Sequence, residues 1–158
     1  MELRDRIQRL LGVQRFAVLA TQGDMGPHVS LVAIASCPDL GRLVFATRRD
    51  STKYSNLCHH PQVALLLDSR TNTASDVVEA EALTVLGRAI ETPAGEHAEL
   101  EAMYVQQHPE LAAFPKDPES ALVTVRVHRY LLVSHFDEKA ELDLRGDGGF
   151  QGTLARDR

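Results

Sequence analysis

The sequence predicts a mainly β protein, a six-stranded antiparallel barrel with a few flanking helices. Three observations predict it. Six short apolar segments carry the alternation or the β-branched content of strands. Several are joined by compact turn sequences such as Gln22-Gly23-Asp24-Met25-Gly26-Pro27 and Pro38-Asp39-Leu40-Gly41, the chemistry of hairpins rather than of crossover helices. Only three stretches show helical spacing, too few to cover both faces of a doubly wound sheet. At 158 residues and 17.4 kDa the chain suits a single domain. Closing the sheet into a barrel also removes its exposed edges.

The elements follow in order. Leu3, Ile7, Leu10 and Leu11 share one helical face, which predicts a short amphipathic helix ending at Gly12 and capping the sheet. Residues 16–21 (FAVLAT) and 28–36 (HVSLVAIAS) read as two strands of a hairpin, and 42–47 (RLVFAT) as a third, together an antiparallel meander. After Thr47 the pattern changes to a helix of about two turns, with Asp50 as its predicted N-cap and Pro61 beyond its end. Residues 62–68 (QVALLLD) return to strand. Residues 80–90 (AEALTVLGRAI) form a longer one, with Gly87 at a predicted bulge. Leu100, Met103 and Tyr104 have helical spacing within 94–107, a helix stopped by Pro109. Residues 121–135 are the last strand. From Asp137 the chain turns polar and glycine-rich, so residues 1–136 are read as the folded domain and 137–158 as a flexible tail.

Composition excludes several classes of function. Hydrophobic residues at 44% and charged residues at 25% describe a globular chain, not a disordered one. A net charge of -5 and a pI near 5.8 leave no global basic field for nucleic acid. No apolar run approaches the roughly 18 residues that span a bilayer, and the N-terminal residues are charged, so a cytoplasmic protein is expected. Cys37 and Cys58 are the only cysteines and neither has a CxxC partner. His59 and His60 are adjacent near a helix end, and His128 and His135 lie an odd number of residues apart on one strand, so no metal site is expected. With aromatic content at 5% and no tryptophan, a planar ligand would have to be held by backbone and polar groups.

The segment Phe45-Ala46-Thr47-Arg48-Arg49-Asp50-Ser51-Thr52-Lys53 is the most informative. A phosphate with nearly two negative charges calls for hydroxyl donors, cations and the free N–H groups of a helix N-terminus. Thr47, Ser51 and Thr52 supply hydroxyls, and Arg48, Arg49 and Lys53 supply cations, at a strand-to-helix corner. The same residues also suit a plain helix cap with solvated cations. The glycines and GK[ST] signature of a Walker loop are absent. No serine, histidine and acid set or carboxylate pair marks a catalytic acid or base, so the catalytic residues stay unassigned.

The order of GPHVSLVAIAS, LVFATRRDSTKYSNL, PQVALLLDSRTN and EALTVLGRA resembles that of the pyridoxamine 5'-phosphate oxidase-like superfamily of FMN-binding split barrels, over residues 5 to 136. The resemblance implies a six-stranded antiparallel split β-barrel and a homodimer with FMN at the subunit interface. It places the FMN phosphate against Thr47, Ser51 and Lys53, with Arg48 and Thr52 as further donors. Ser30, Leu31 and Val32 match the strand whose backbone follows the ribityl chain and the ring. Ser69, Arg70 and Asn72 match the segment that the partner subunit brings near the flavin.

Departures from the family pattern narrow the expected activity. Thr52 stands where the true oxidases carry a second arginine, and Ala82 where they carry a glutamine. The arginine and histidine cluster that binds pyridoxal phosphate is replaced by EKAELDLRGDGG, so synthesis of that compound is not expected. The resemblance thus implies an FMN-dependent oxidoreductase acting on a small molecule, in which the cofactor carries the chemistry. The alternatives are a non-catalytic haem or tetrapyrrole binder on the same fold and a deazaflavin-dependent reductase.

Overall fold

A computed structural model describes residues 1–135, 138–146 and 151–153. Helix α1 (Leu3–Val13) leads into strands β1 (Phe16–Gly23), β2 (Gly26–Ala33), β3 (Ala35–Ser36) and β4 (Arg42–Arg48). Then follow α2 (Thr52–His59), β5 (Gln62–Asp68), the short turn of helix α3 (Asp76–Glu79), β6 (Ala82–Glu91) and α4 (Ala94–Gln107). A 3-10 turn (Pro109–Leu111) precedes the long strand β7 (Ser120–Ser134), and β8 (Glu138–Asp143) and β9 (Gln151–Thr153) complete the sheet. No helix among the described residues is long and apolar enough to cross a membrane.

All strand pairs are antiparallel, in the order β2-β1-β5-β6-β7-β4-β3, with β8 added to β7 and β9 to β8. The two ends of this path, β2 and β3, are one stretch of chain interrupted at Ile34. The sheet therefore curls round on itself through a broken strand, as a barrel that is split rather than sealed. Its interior is filled by inward residues from every wall, among them Leu19, Phe45, Leu65, Leu83, Val85, Val123 and Tyr130, and α1 closes it with Ile7, Leu10 and Leu11. Tyr130 buries its ring completely because its hydroxyl donates to Leu40 O at 2.7 Å.

The six predicted strand segments all form strands, yet the count among the described residues rises to nine. The meander expected over 16–47 exists only through the break at Ile34: residues 26–33 pair with β1, whereas Ala35 and Ser36 pair with β4. The strand predicted from Ala80 starts at Ala82, because Ser75 to Glu79 form a helical turn first. The flexible tail predicted from residue 137 is corrected in part, since Glu138–Asp143 pair with β7 and Leu142 enters the core at 1% exposure. The polar strand satisfies the open edge of β7 and anchors there through Leu142, with Leu144 just beyond it also packed against the core. The last residues of that predicted tail, 154–158, lie outside the described residues.

The bulge sits where Gly87 predicts it. The β6–β7 register shifts between Leu86 and Gly87, and the additional residue is His128 on β7. A Cβ on Gly87 would stand 2.5 Å from Arg126 O and 2.8 Å from Val125 Cγ1, so only glycine lets the strands approach this closely.

The two halves of the outer surface differ. Helix α4 lays Leu100 and Tyr104 over Ala35, Val44 and Leu122, covering β3, β4 and the start of β7. The described residues leave much of the rest of the outer sheet open. Two rows of side chains cross it in register, Leu31-Val18-Leu66-Thr84-Leu131 and Val29-Ala20-Ala64-Leu86-Arg129. Val29, Leu31 and Leu66 are 64%, 65% and 41% exposed, with Phe16 beside them at 53%.

Candidate functional site

The split in the barrel makes the site. Among the described residues the strand pairing of β2 is with β1 alone, and β4 pairs with β3 only through Leu43 and Val44. Beyond those residues β2 and the end of β4 run close to one another without a ladder between them. Two strand edges whose backbone is not laddered to another described strand therefore border one groove. Its volume is about 420 Å³, and it is lined by Leu31, Val32 and Ala33 of β2, Ala46, Thr47 and Arg48 of β4, Asp50, Ser51 and Lys53 of the corner, and Phe16, Tyr104, Leu111 and Phe114. One end is polar and cationic, the other apolar.

The polar end is the strand-to-helix corner. Ser51, not Asp50, is the N-cap of α2, its Oγ accepting from the Tyr54 N–H at 3.2 Å. That Oγ donates its one proton to Arg48 O at 2.7 Å, so at the 3.0 Å contact with Thr47 it is the Thr47 hydroxyl that donates. Both hydroxyls are thus engaged internally, and an arriving anion would have to turn them. The N–H groups of Thr52 and Lys53 have no acceptor among the described residues, as expected for the first turn of a helix. The half-buried Lys53 ammonium likewise has no acidic partner among them.

The other two cations are engaged. Arg49 donates to Glu91, to the Tyr54 hydroxyl at 3.1 Å and to Pro118 O at 3.3 Å, and its guanidinium lies 5.8 Å from the centre of the Tyr54 ring. Hydrogen bonding from Arg49 holds the Glu91 carboxyl below the usual glutamate range, while burial and the Glu91 carboxylate push the Tyr54 hydroxyl up. Arg49 therefore braces the corner from behind. Arg48 does line the groove, but its guanidinium is bonded to Asp50 and Glu119 at 3.2 and 3.1 Å.

Of the residues singled out by sequence, Leu31, Val32, Thr47, Arg48, Ser51 and Lys53 line the groove. Ser30 alternates with Leu31 and turns inward opposite Leu19, its Oγ buried with no hydrogen-bond partner. Thr52 is exposed at the first position of α2 and does not line the groove. Ser69, Arg70 and Asn72 lie in the β5–β6 loop, away from the groove of their own chain. There Ser69 Oγ accepts from the Glu81 N–H at 2.8 Å, Arg70 pairs with Asp68 at 3.1 Å, and Asn72, at a φ of 63°, donates its N–H to Asp76 at 2.7 Å. Amides of Thr71, Thr73 and Asn72 hold the Asp76 carboxyl below its ordinary range.

Four wall residues carry no signal in the sequence that marks them as lining. Phe16 opens a strand, Tyr104 reads as helix core, and Leu111 and Phe114 belong to a proline-flanked loop. Their placement depends on α4, whose end is pinned to the strand break. The buried His108 donates from Nε2 to Ile34 O at 2.6 Å, and the Tyr104 hydroxyl donates to Ala33 O at 3.4 Å.

A larger cleft of about 770 Å³ lies elsewhere, on the outer sheet between Ala20, Gln62, Leu86 and His128. Its two arginines, Arg129 and Arg145, are paired with Glu141 at 3.1 Å and Asp143 at 2.7 Å. The smaller groove is the better candidate, because it combines backbone donors and a cation without partners among the described residues with two strand edges that no ladder joins.

Comparison with known proteins identifies the fold and the family. The family model described as pyridoxamine 5'-phosphate oxidase matches residues 3–134. No curated protein sequence matches the chain. Among solved structures, a haem-binding protein from Mycobacterium smegmatis superposes with a TM-score of 0.78 at 16% identity, over 90% of this chain and 59% of that one. General Stress Protein 26 from Bacillus anthracis gives 0.69 at 22% identity, covering 91% of this chain and all of the other (100%). An FAD-binding protein from Mesorhizobium loti gives 0.63 at 15%, over 80% and 89%. These likenesses establish the fold, and the family model spans nearly all of the barrel. The chain belongs to the pyridoxamine 5'-phosphate oxidase-like split-barrel family.

Proposed function

We propose that the chain is an FMN-binding oxidoreductase acting on a small molecule, with the flavin in the groove between β2 and β4. The observation that carries this reading is the groove itself, where a cation and helix N–H groups with no partner among the described residues lead into two strand edges with no ladder between them and an apolar wall. A phosphate suits Lys53, Ser51 and Thr47, with Arg48 and the Thr52 backbone at the rim. A planar ring suits the backbone of Ser30, Leu31 and Val32 against Phe16 and Tyr104. The flavin, when bound, supplies the acceptor and donor of hydride or electrons. The chain's own contribution is to bind it, orient it and shield it from water.

The same reading includes a homodimer. The open apolar face of the outer sheet borders the groove, since Leu31 of one row and the exposed Phe16 beside it also line the groove. Exposed patches of this kind are the usual mark of an interface. A second copy seated there would cover the open side of the groove and bring its Ser69, Arg70 and Asn72 toward the ligand.

A second reading, haem binding, is supported by the outer cleft. His128 lines it beside two arginines, whereas the groove between β2 and β4 offers no imidazole, thiolate or thioether. An absorbance spectrum of protein reconstituted with FMN or with haem decides between the two. Flavin bands at one FMN per subunit are expected, and Lys53→Ala combined with Ser51→Ala should weaken FMN binding by about 2 kcal/mol, roughly 30-fold. Retention of FMN as tight as in the parent would refute the phosphate site. A Soret band lost in His128→Ala, with no flavin bound, would favour the second reading.

A further inference from the structure

Arg48 lines the groove, yet its guanidinium is turned onto carboxylates of its own chain. Nε donates to Asp50 Oδ1 at 3.2 Å and Nη2 to Glu119 Oε2 at 3.1 Å. Glu119 is held in place for this contact. Its carbonyl accepts the Arg49 N–H at 2.9 Å and its own N–H donates to Asp117 Oδ1 at 2.9 Å, so the turn leading into β7 is fixed against the corner. Lys53 has no such acceptor among the described residues. An anion entering the groove therefore meets one free cation and one that is already engaged.

We propose that Asp50 and Glu119 compete with the ligand's phosphate for Arg48, so that this chain binds a phosphorylated ligand more weakly, and releases it more readily, than its cations alone imply. The inference rests on the flavin reading of the groove. Both carboxylates are largely exposed, at 73% and 72%, and ion pairs in that setting gain little over hydration. A phosphate offers the same guanidinium a doubly charged, bidentate acceptor. Arg48 can thus change partner at small cost when the phosphate arrives, and return to Glu119 when it leaves. The arrangement suits a cofactor that is exchanged rather than kept.

The test compares FMN with riboflavin, which differ only in the phosphate, by titrating the quenching of flavin fluorescence. Glu119→Gln keeps the side chain's size at an exposed position and removes its charge. It is expected to bind FMN about two- to fivefold more tightly, to leave riboflavin unchanged, and to lose its advantage when Arg48 is replaced by alanine in both proteins. Unchanged or weaker FMN binding overturns the proposal, and so does an equal gain for riboflavin. A gain that persists without Arg48 also overturns it, because that is simple relief of repulsion. Lys53→Ala separates the two claims. If it leaves FMN affinity unchanged, the groove reading itself fails; if it weakens FMN while Glu119→Gln does not tighten it, the competition alone fails.

Discussion

Gly87 shows how one residue sets the shape of the barrel wall. Its missing side chain lets β6 approach Arg126 O and Val125 on β7, directly beside the bulge at His128. Gly87→Ala would push a methyl group into backbone, which cannot move aside as a flexible side chain can. A loss of about 2 kcal/mol is expected, lowering Tm by about 4–8 °C in a chain of this size, and thermal unfolding checks it. An unchanged Tm would mean that the strands part at little cost. This residue was legible because a glycine interrupting a strand-like run marks a bulge or a close approach of backbone. Lys53 and Ser51 were legible for a similar reason, since hydroxyls and cations at a strand-to-helix junction have a chemistry of their own. The divergent fates of Arg48, Arg49 and Lys53 were not. Which of three neighbouring cations stays free depends on Glu91 and Glu119, both far away in sequence.

Strand β8 makes the corresponding point for an element. Its residues are mostly polar and read as tail, yet they form a full ladder with β7 from Arg129↔Asp143 to Ser134↔Glu138. Leu142 is its one fully buried side chain, packed into the barrel core. Leu142→Ala should cost about 2–4 kcal/mol, which a urea titration would register as a lower midpoint with an unchanged slope. A cost within experimental error would show that β8 decorates the barrel without stabilising it. The break at Ile34 was equally hidden, because residues 28–36 (HVSLVAIAS) read as one uninterrupted strand-like run and nothing local marks where pairing changes from β1 to β4. His108 and Tyr104 hold that break from a helix some 70 residues later in the chain.

For the whole molecule, the bare half of the sheet is the dominant feature. α4 covers one half of the outer surface, and the other presents two mostly apolar rows in register, interrupted by Thr84 and ending at Arg129. Sedimentation velocity should find a dimer, and Val29→Lys combined with Leu66→Glu should give a folded monomer that also binds FMN more weakly, because the groove borders this face. A parent protein that is monomeric with FMN bound would remove the second copy from the proposed site. The net charge of -5 says nothing of this, since it averages over a surface on which the cationic corner and the apolar rows occupy separate places.

By itself the sequence determined six of the strand segments, the three longer helices, the bulge glycine and the strand-to-helix corner with its hydroxyls and cations, because each depends on periodicity, turn chemistry or residue types adjacent along the chain. Tertiary structure decided the rest. It chose where the barrel splits, which cation stays free, which apolar residues wall the groove and which half of the sheet is left uncovered. Those outcomes depend on groups brought together from distant parts of the chain, and pairing across a sheet is settled by the sum of all the contacts it permits rather than by any one segment.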